Sequence, residues 1–279
     1  MSASTGLVTP APSHGLRLSG PTAPRRPFLQ IRRFLVPLLL VLAWQAAAQA
    51  GLISARLMAP PADILRAAWT LILSGELPYH LLVSLQRVAI GLAIAIAAGV
   101  SLGLTAGLSR LGEDAVDATM QMLRALPFLA LVPLFILWFG IGETTKIALV
   151  ALGATFPIYL TLFGGIRGVD PKLLEAGRIL GLGRAEQIRH IILPGALPQA
   201  LVGLRYGLGT AWLSLVVGEQ INATAGIGFL VMDAREFLRT DIILVGLLVY
   251  ALLGLGADQL VRLLERRALA WRPSLIREA

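Results

Sequence analysis

Val88-Ala89-Ile90-Gly91-Leu92-Ala93-Ile94-Ala95-Ile96-Ala97-Ala98-Gly99-Val100-Ser101-Leu102-Gly103-Leu104-Thr105-Ala106-Gly107-Leu108-Ser109 runs for twenty-two residues without a charge. About 20 apolar residues of helix cross a bilayer core. In lipid the backbone groups have only one another as partners, so such a segment must be helical. Gly91, Ala95, Gly99, Gly103 and Gly107 recur at every fourth position and form one small-residue face suited to close helix packing. Gly99–Gly103 also fits the G-x-S-x-G nucleophile pattern around Ser101. That pattern needs a strand–turn–helix setting, so packing is the expected role.

The same reading extends along the chain. Uncharged runs occupy Phe34–Ala55, Ala125–Gly142, Ile147–Ile166 and Ile242–Ala257, and Ala196–Gly218 is apolar apart from Arg205. The 279 residues are 56% hydrophobic and only 14% charged. Average soluble domains carry roughly 25% charge, so there is too little polar surface here to cover the apolar volume. Low hydrophobicity, the requirement for disorder, is absent. The expected fold is an all-α multi-pass membrane protein with six transmembrane helices.

Lysine and arginine set the orientation. With a cytoplasmic N-terminus, seventeen of the twenty-four fall in inner segments and five in outer ones, leaving Arg87 and Arg205 inside spans. Positive charge marks the cytoplasmic side, so both termini are expected there. The expected organisation is a Pro/Ser/Gly-rich cytoplasmic tail over 1–33, a transmembrane domain over 34–264 with a long inner loop over 167–195, and a cytoplasmic tail over 265–279. Arg25-Arg26-Pro27-Phe28-Leu29 imitates a twin-arginine signal, but five further spans fit an anchored tail better.

Several chemistries are excluded. The net charge of +8 is scattered between apolar runs and forms no contiguous basic face for nucleic acid. Without cysteine there are no disulfides, thiolate metal sites or thiol nucleophiles. Lys146 and Lys172 follow Thr145 and Pro171, so no phosphate-binding G-K-[ST] loop exists. His14, His80 and His190 have no metal-ligand spacing. No cofactor is expected on this chain.

The inner loop is the informative segment. Asp170 and Pro171 suit the N-cap and first position of a helix, and Leu173, Leu174, Ala176, Ile179 and Leu180 make it amphipathic. Gly181 and Gly183 are expected to end it. A second helical stretch, Arg184–Leu193, runs up to Pro194, with the next span beyond. The expectation is a rigid helix–turn–helix on the positive face, with small residues at Ala176 and Gly177 permitting close approach by a partner. A loop without a role could be far shorter.

Glu175-Ala176-Gly177, Gly181 four residues on and Ile191-Ile192-Leu193-Pro194 resemble the E-A-A-x3-G-x9-I-x-L-P signature of ATP-binding-cassette importer permeases, with Gly177 in place of alanine. Ser84-Leu85-Gln86-Arg87, Leu137-Trp138-Phe139-Gly140-Ile141 and Asn222-Ala223-Thr224-Ala225-Gly226-Ile227-Gly228 extend the resemblance to the nitrate/sulfonate/taurine group, its aliphatic-sulfonate branch above all, from about Trp44 to Trp271. The resemblance implies a type I importer fold in the cytoplasmic (inner) membrane. It further implies a permease homodimer in lipid, two separate ATPase subunits that bind the ATP, and a periplasmic or extracellular substrate-binding protein. Leu174, Glu175, Ala176, Gly177, Leu180, Gly181, Gly183 and Pro194 would then form the ATPase-coupling loop. The implied cargo is an organic sulfonate, with taurine or nitrate as alternatives. An ion-coupled secondary transporter is the rival of a different class.

Arg87 and Arg205, ionisable groups within spans, are candidates for an anion pathway, against snorkelling or pairing with a neighbour. Glu219 is expected to pair structurally with an arginine. Ala62–Leu73 and Gly228–Leu238 read as interfacial amphipathic helices, with Trp69 as an aromatic anchor, or as a landing surface for the binding protein. Pro127, Pro133 and Pro157 are expected to kink their helices.

Overall fold

The structure, a computed structural model, describes residues 28–54, 57–221 and 223–271, with side chains in the first helix from Leu35 onward. The expected tail 1–33 and residues 272–279 therefore lie largely outside the described residues, as do the side chains of Arg17, Arg25, Arg26, Arg32, Arg33, Arg56, Arg272 and Arg277. Apolar runs of span length become helices, and no strand occurs among the described residues. In chain order the helices are α1 Phe28–Gln49, α2 Pro61–Leu73, α3 Glu76–Leu108, α4 Arg110–Ala125, α5 Phe128–Phe139, α6 Glu143–Arg167 and α7 Pro171–Ile179. They continue with α8 Arg184–Gln187, α9 Leu193–Gln220, α10 Ile227–Glu236 and α11 Thr240–Ala268.

The small-residue face of α3 meets α6. A methyl group built on Gly91 would lie 2.5 Å from Val150 Cγ1, and one on Gly99 2.8 Å from Ile158 Cγ2. Gly103 faces Leu162 and Gly107 faces Ile166 in the same way. Ala95 and Ala154, both fully buried, continue the row. Only hydrogen at these positions lets the backbones approach so closely. Advancing along α3 advances equally along α6, so the two helices run in the same direction. On an adjoining face of α6, Gly165 lies against Gln199, Gly207 against Ile158 and Gly218 beside Lys146, which makes α9 antiparallel. Thus α6 is the central helix, packed against both α3 and α9.

Parallel α3 and α6 require the chain to return between them, and α4 with α5 makes that return. The expected span over Ala125–Gly142 forms only the short helix α5, which makes a bent pair with α4, turned by 102° at Leu126-Pro127. Proline drives the residue before it out of helical geometry, and Leu126 is extended at ψ 133°. Polar clasps hold α4 beside the end of α6: Tyr159 Oη donates to Asp117 Oδ1 at 2.8 Å, and Arg167 pairs with Glu113. Pro157, by contrast, sits within a continuous α6, as Pro133 does within α5.

Among the described residues, four helices are long and apolar enough to cross a membrane, five if the bent pair counts as one crossing. The described apolar part of α1, Leu35–Gln49, is shorter. The expected count of six is therefore approached rather than matched.

The outer amphipathic pieces divide. Along α2, Trp69 and Leu65 stay exposed, as an interfacial helix requires. The second piece, α10, corrects the expectation: Ile227, Leu230 and Ala234 are buried with Ile242 and Val245 of α11 and Ile64 and Leu71 of α2. It is wedged into the bundle, with Phe237 and Leu238 exposed beyond its end.

Candidate functional site

At the end of the bundle where α3 and α6 finish, the loop forms the expected helix–turn–helix. Asp170 Oδ1 accepts from the Lys172 N–H at 2.9 Å, and Pro171 occupies the first turn, where a missing N–H costs nothing. At the other end Gly181 adopts φ +81°, the left-handed conformation that glycine alone enters freely. Its N–H donates to Arg178 O at 3.0 Å and that of Leu182 to Gly177 O at 2.9 Å, which satisfies two terminal carbonyls. Glu186 Oε2 then accepts from Gly183 N–H at 2.8 Å, and Gln187 Nε2 donates to Leu182 O at 2.9 Å. The turn between α7 and α8 is thus fixed from both sides.

This rigid loop leaves apolar side chains uncovered. Ile179 is 86% exposed and Leu180 79%, with Leu173 beside them. Glu175 and Ala176 are exposed, and Leu174 is half-buried. Gly177 departs from its expected role of admitting a partner, because it is buried beneath the turn. A methyl group there would lie 2.7 Å from Ile191 Cδ1 and 3.4 Å from Leu182 Cδ1. Its small size serves packing between the two arms of the loop.

Pro194 does not separate the second arm from the span. Having no N–H to give back to His190, it is accommodated by a widened π-helical turn over Ile188–Ile192, in which Leu193 N–H reaches five residues back to Ile188 O. Arg184–Gln220 is consequently one continuous rod of 37 residues.

A second constellation lies at the far end of that rod, and the sequence disclosed only its two principal members. Arg87 of α3 is 3% exposed and Glu219 of α9 1%. Arg87 Nη1 donates to Glu219 Oε1 and to Ala225 O, both at 2.7 Å, while Nε and Nη2 grip the two oxygens of Glu143 at 2.6 Å each. Lys146 Nζ, also buried, lies 3.1 Å from Glu143 Oε1. Two cations face two carboxylates, so the cluster is balanced.

The cluster also supplies the N-terminus of α10. Its first N–H groups have no partners within the helix. Gly226 N–H donates to His80 Nδ1 at 3.0 Å, Ile227 N–H to Ser84 Oγ at 2.9 Å and Gly228 N–H to Glu219 Oε2 at 2.8 Å. Ser84 Oγ in turn donates to Glu219 Oε1 at 2.7 Å. A carboxylate at a helix N-terminus is favoured by the helix dipole. Here His80, Ser84 and Arg87, at helical spacing on α3, hold α10 in place. Gly226 adopts φ +115°, and a methyl group there would lie 2.6 Å from Arg87 Nη1. The contribution of His80, Ser84 and Tyr250, which donates to Glu219 Oε2 at 3.3 Å, was missed. The i, i+4, i+7 pattern at 80, 84 and 87 was the available signal.

Both pathway candidates are thus engaged by protein carboxylates. Arg205 Nη2 lies 2.6 Å from Glu265 Oε2 and its Nε 3.3 Å from Asp258 Oδ1, tying α9 to α11 with the side chain 35% exposed. No cluster of possible metal ligands occurs among the described residues. Ser101 lies within the continuous helix α3, not on a strand–turn–helix, and its Oγ donates back to Ala97 O at 2.6 Å.

A bundle of long apolar helices that bears a rigid, apolar-tipped loop at one end is the architecture of a multi-pass membrane protein. The chain belongs to the binding-protein-dependent transport system inner membrane component family, which its residues 92–269 match. It is 48% identical to the putative aliphatic sulfonates transport permease protein SsuC of Escherichia coli (strain K12) over 88% of this chain and 94% of that one. Its counterpart from Bacillus subtilis (strain 168) is 44% identical, over 90% and 91%. The fold resembles that in a crystal structure of an amino acid ABC transporter with histidines, with a TM-score of 0.58 at 20% identity, over 67% of this chain and 92% of that one. This is a transport subunit of a type I ABC importer, which works with ATPase and substrate-binding partners.

Proposed function

We propose that the chain is the permease of an importer that carries an organic sulfonate, of the alkanesulfonate class, across the cytoplasmic membrane at the expense of ATP hydrolysed on a separate subunit. The carrying observation is the exposed apolar tip of a loop fixed by hydrogen bonds at both ends. Uncovered Leu173, Ile179 and Leu180 on so rigid a support fit a protein interface. The ATPase docks on the loop through Leu174, Glu175, Ala176, Leu180 and Gly181, while Gly177, Gly183 and Pro194 hold its shape. A second copy completes the pore in the lipid, and two ATPases serve the pair. The loop and both termini are cytoplasmic. The binding protein approaches the opposite end, where α10 and the Arg87 cluster lie. The sulfonate assignment draws on the two aliphatic-sulfonate relatives.

The geometry supports a mechanical role. A ligand shifts only an equilibrium whose states it distinguishes, so nucleotide-driven closure of the ATPases must alter contacts on the loop. The continuous rod from Arg184 to Gln220 carries that displacement through the bilayer. The test is ATP hydrolysis by the permease–ATPase complex in liposomes, with binding protein preloaded with an alkanesulfonate, taurine or nitrate. Stimulation and uptake with the alkanesulfonate are expected. Stimulation by taurine or nitrate alone would replace the cargo, and uptake without the ATPase would replace the class with a secondary transporter.

A further inference from the structure

The rod that carries the loop has a mechanical weak point close to the loop, apart from Pro198 farther along α9. In the widened turn Ile188–Ile192 the carbonyls are no longer held four residues on, and such a turn inside a helix is a natural place to bend. A push on α7 arrives on the loop side of this turn, whereas the bilayer-crossing part of α9 lies beyond it. Left to itself, the rod would yield there and the displacement would be lost.

Ile191 against Gly177 and Ile192 against the cluster of Leu162, Ile166 and Ala196 pack around this turn, and a polar contact ties its loop side to another helix. Arg184, the first residue of α8, reaches 76 residues back in sequence, where its Nη2 donates to the carbonyl of Leu108, the last residue of α3, at 3.1 Å. A helix C-terminus carries unpaired carbonyls and partial negative charge, so a guanidinium is well suited to hold it. Arg167, at the end of α6, donates to Ala106 O of the same terminus at 3.3 Å and pairs with Glu113 of α4. Both arginines that flank α7 therefore converge on the end of α3. Far from the loop, α3 and the rod are joined again through Arg87 and Glu219 at 2.7 Å. Between the two ties, the glycine rows seat α6 against both helices without slack.

We infer that Arg184 is a positioning residue for transport: it fastens the loop tip to α3, so that displacement of the loop moves α3, α6 and α9 as one body instead of bending the rod at Ile188–Ile192. This role rests on the docking of the ATPase at the loop. It adds a specific claim: force enters the bundle through the C-terminus of α3 as well as along α9. The far tie is buried and multiply bonded, whereas the Arg184 contact is single and exposed, so it is the one whose loss alters transmission without dismantling the bundle.

The experiment uses the assembled complex in liposomes, carrying a cysteine at Ala176 (Ala176→Cys) on the otherwise cysteine-free permease. Cross-linking to an ATPase cysteine reports docking, and alkanesulfonate accumulated per ATP hydrolysed reports transmission. Arg184→Ala and the milder Arg184→Gln are expected to cross-link as the parent does while the transported amount per ATP falls about fivefold or more, the scale of an ordinary coupling free energy. Arg184→Lys, which keeps a charged donor, is expected to recover at least about half of the loss. An unchanged ratio in Arg184→Ala would overturn the role of Arg184 alone. Failure of both Arg184→Ala and Arg184→Gln to assemble would overturn it too, because the contact would then be a folding requirement. Absence of the cross-link in the parent complex would overturn the docking at the loop itself, and the inference with it.

Discussion

Arg87 Nη1 and Glu219 Oε1 stand 2.7 Å apart with side chains 4% and 0% exposed, one on α3 and the other on α9. Each uses its remaining capacity on other elements. The arginine grips Glu143 at the start of α6, and the carboxylate receives the N–H of Gly228 at the start of α10. One ion pair thereby fixes the relative position of four helices. Such a pair is a weak source of net stability, because both charges lose their hydration, but removing one partner strands the other.

Breaking the pair from one side should therefore be costly. Arg87→Met and Glu219→Leu are each expected to destabilise the permease by about 3–5 kcal/mol. The double variant should cost less than the sum of the two, since neither charge is then left without this partner. Thermal unfolding of the purified, detergent-solubilised permease would measure all three. Simple additivity would contradict the arrangement.

Two glycine-to-alanine changes should behave oppositely, though both add one methyl group. In Gly91→Ala the methyl group meets Val150, which is β-branched and stiff, and lies 3.1 Å from the carbonyl of Ile147. A cost of about 1–3 kcal/mol is expected from overpacking. In Gly177→Ala it meets the far end of Ile191, which can rotate aside, and the helix gains about 0.5–1 kcal/mol from alanine. The second change should be neutral or stabilising by the same melting measurement.

The turn at Gly181 makes a sharper demand on conformation than on space. Nothing lies within 4 Å of a methyl group there, but φ is +81°. Gly181→Ala should lose about 1–2 kcal/mol of local stability from the left-handed conformation alone, and Gly181→Asn less. Transport should fall in that order, and cross-linking through Ala176→Cys should weaken in parallel. Equal transport by both variants would show that the turn need not be rigid.

Ser101→Ala removes a hydroxyl bonded only to Ala97 O of its own helix. Transport is expected to remain within about twofold, because surface substitutions away from special features shift stability by only a few tenths of a kcal/mol. Abolished uptake by a normally inserted variant would reopen a chemical role for this serine.

Much of the fold was legible from local pattern because lipid leaves the chain so few choices. An apolar run of span length becomes a helix, and four such runs did so, three without a charge and one carrying Arg205. The glycine spacing on α3 announced a close contact but not its partner, which is settled only by where Val150, Ile158, Leu162 and Ile166 arrive on α6. The loop was readable for a similar reason: Asp170, Pro171 and Gly181 act on their own backbone within a few residues. Two local readings went astray, one through a backbone adjustment within the helix and one through a tertiary contact. The proline at 194 signalled a break, but its lost hydrogen bond is absorbed by a wider turn inside a continuous rod. The amphipathic pattern over 228–238 signalled a surface helix, but His80, Ser84 and Glu219 receive its N-terminal N–H groups and draw it into the bundle.

By itself, then, the sequence determined the class of the protein, the segments that must be helical and the loop that presents an apolar tip, since each depends on hydropathy, charge count or bonds between near neighbours. The partnership of Arg87 with Glu219, the burial of Gly177 under Ile191 and the reach of Arg184 to Leu108 were decided only in three dimensions. Those contacts join residues 132, 14 and 76 positions apart. No local rule brings such groups together; the crossing of packed helices does, because α6 fits against α3 and α9 only in the register that the glycine rows allow.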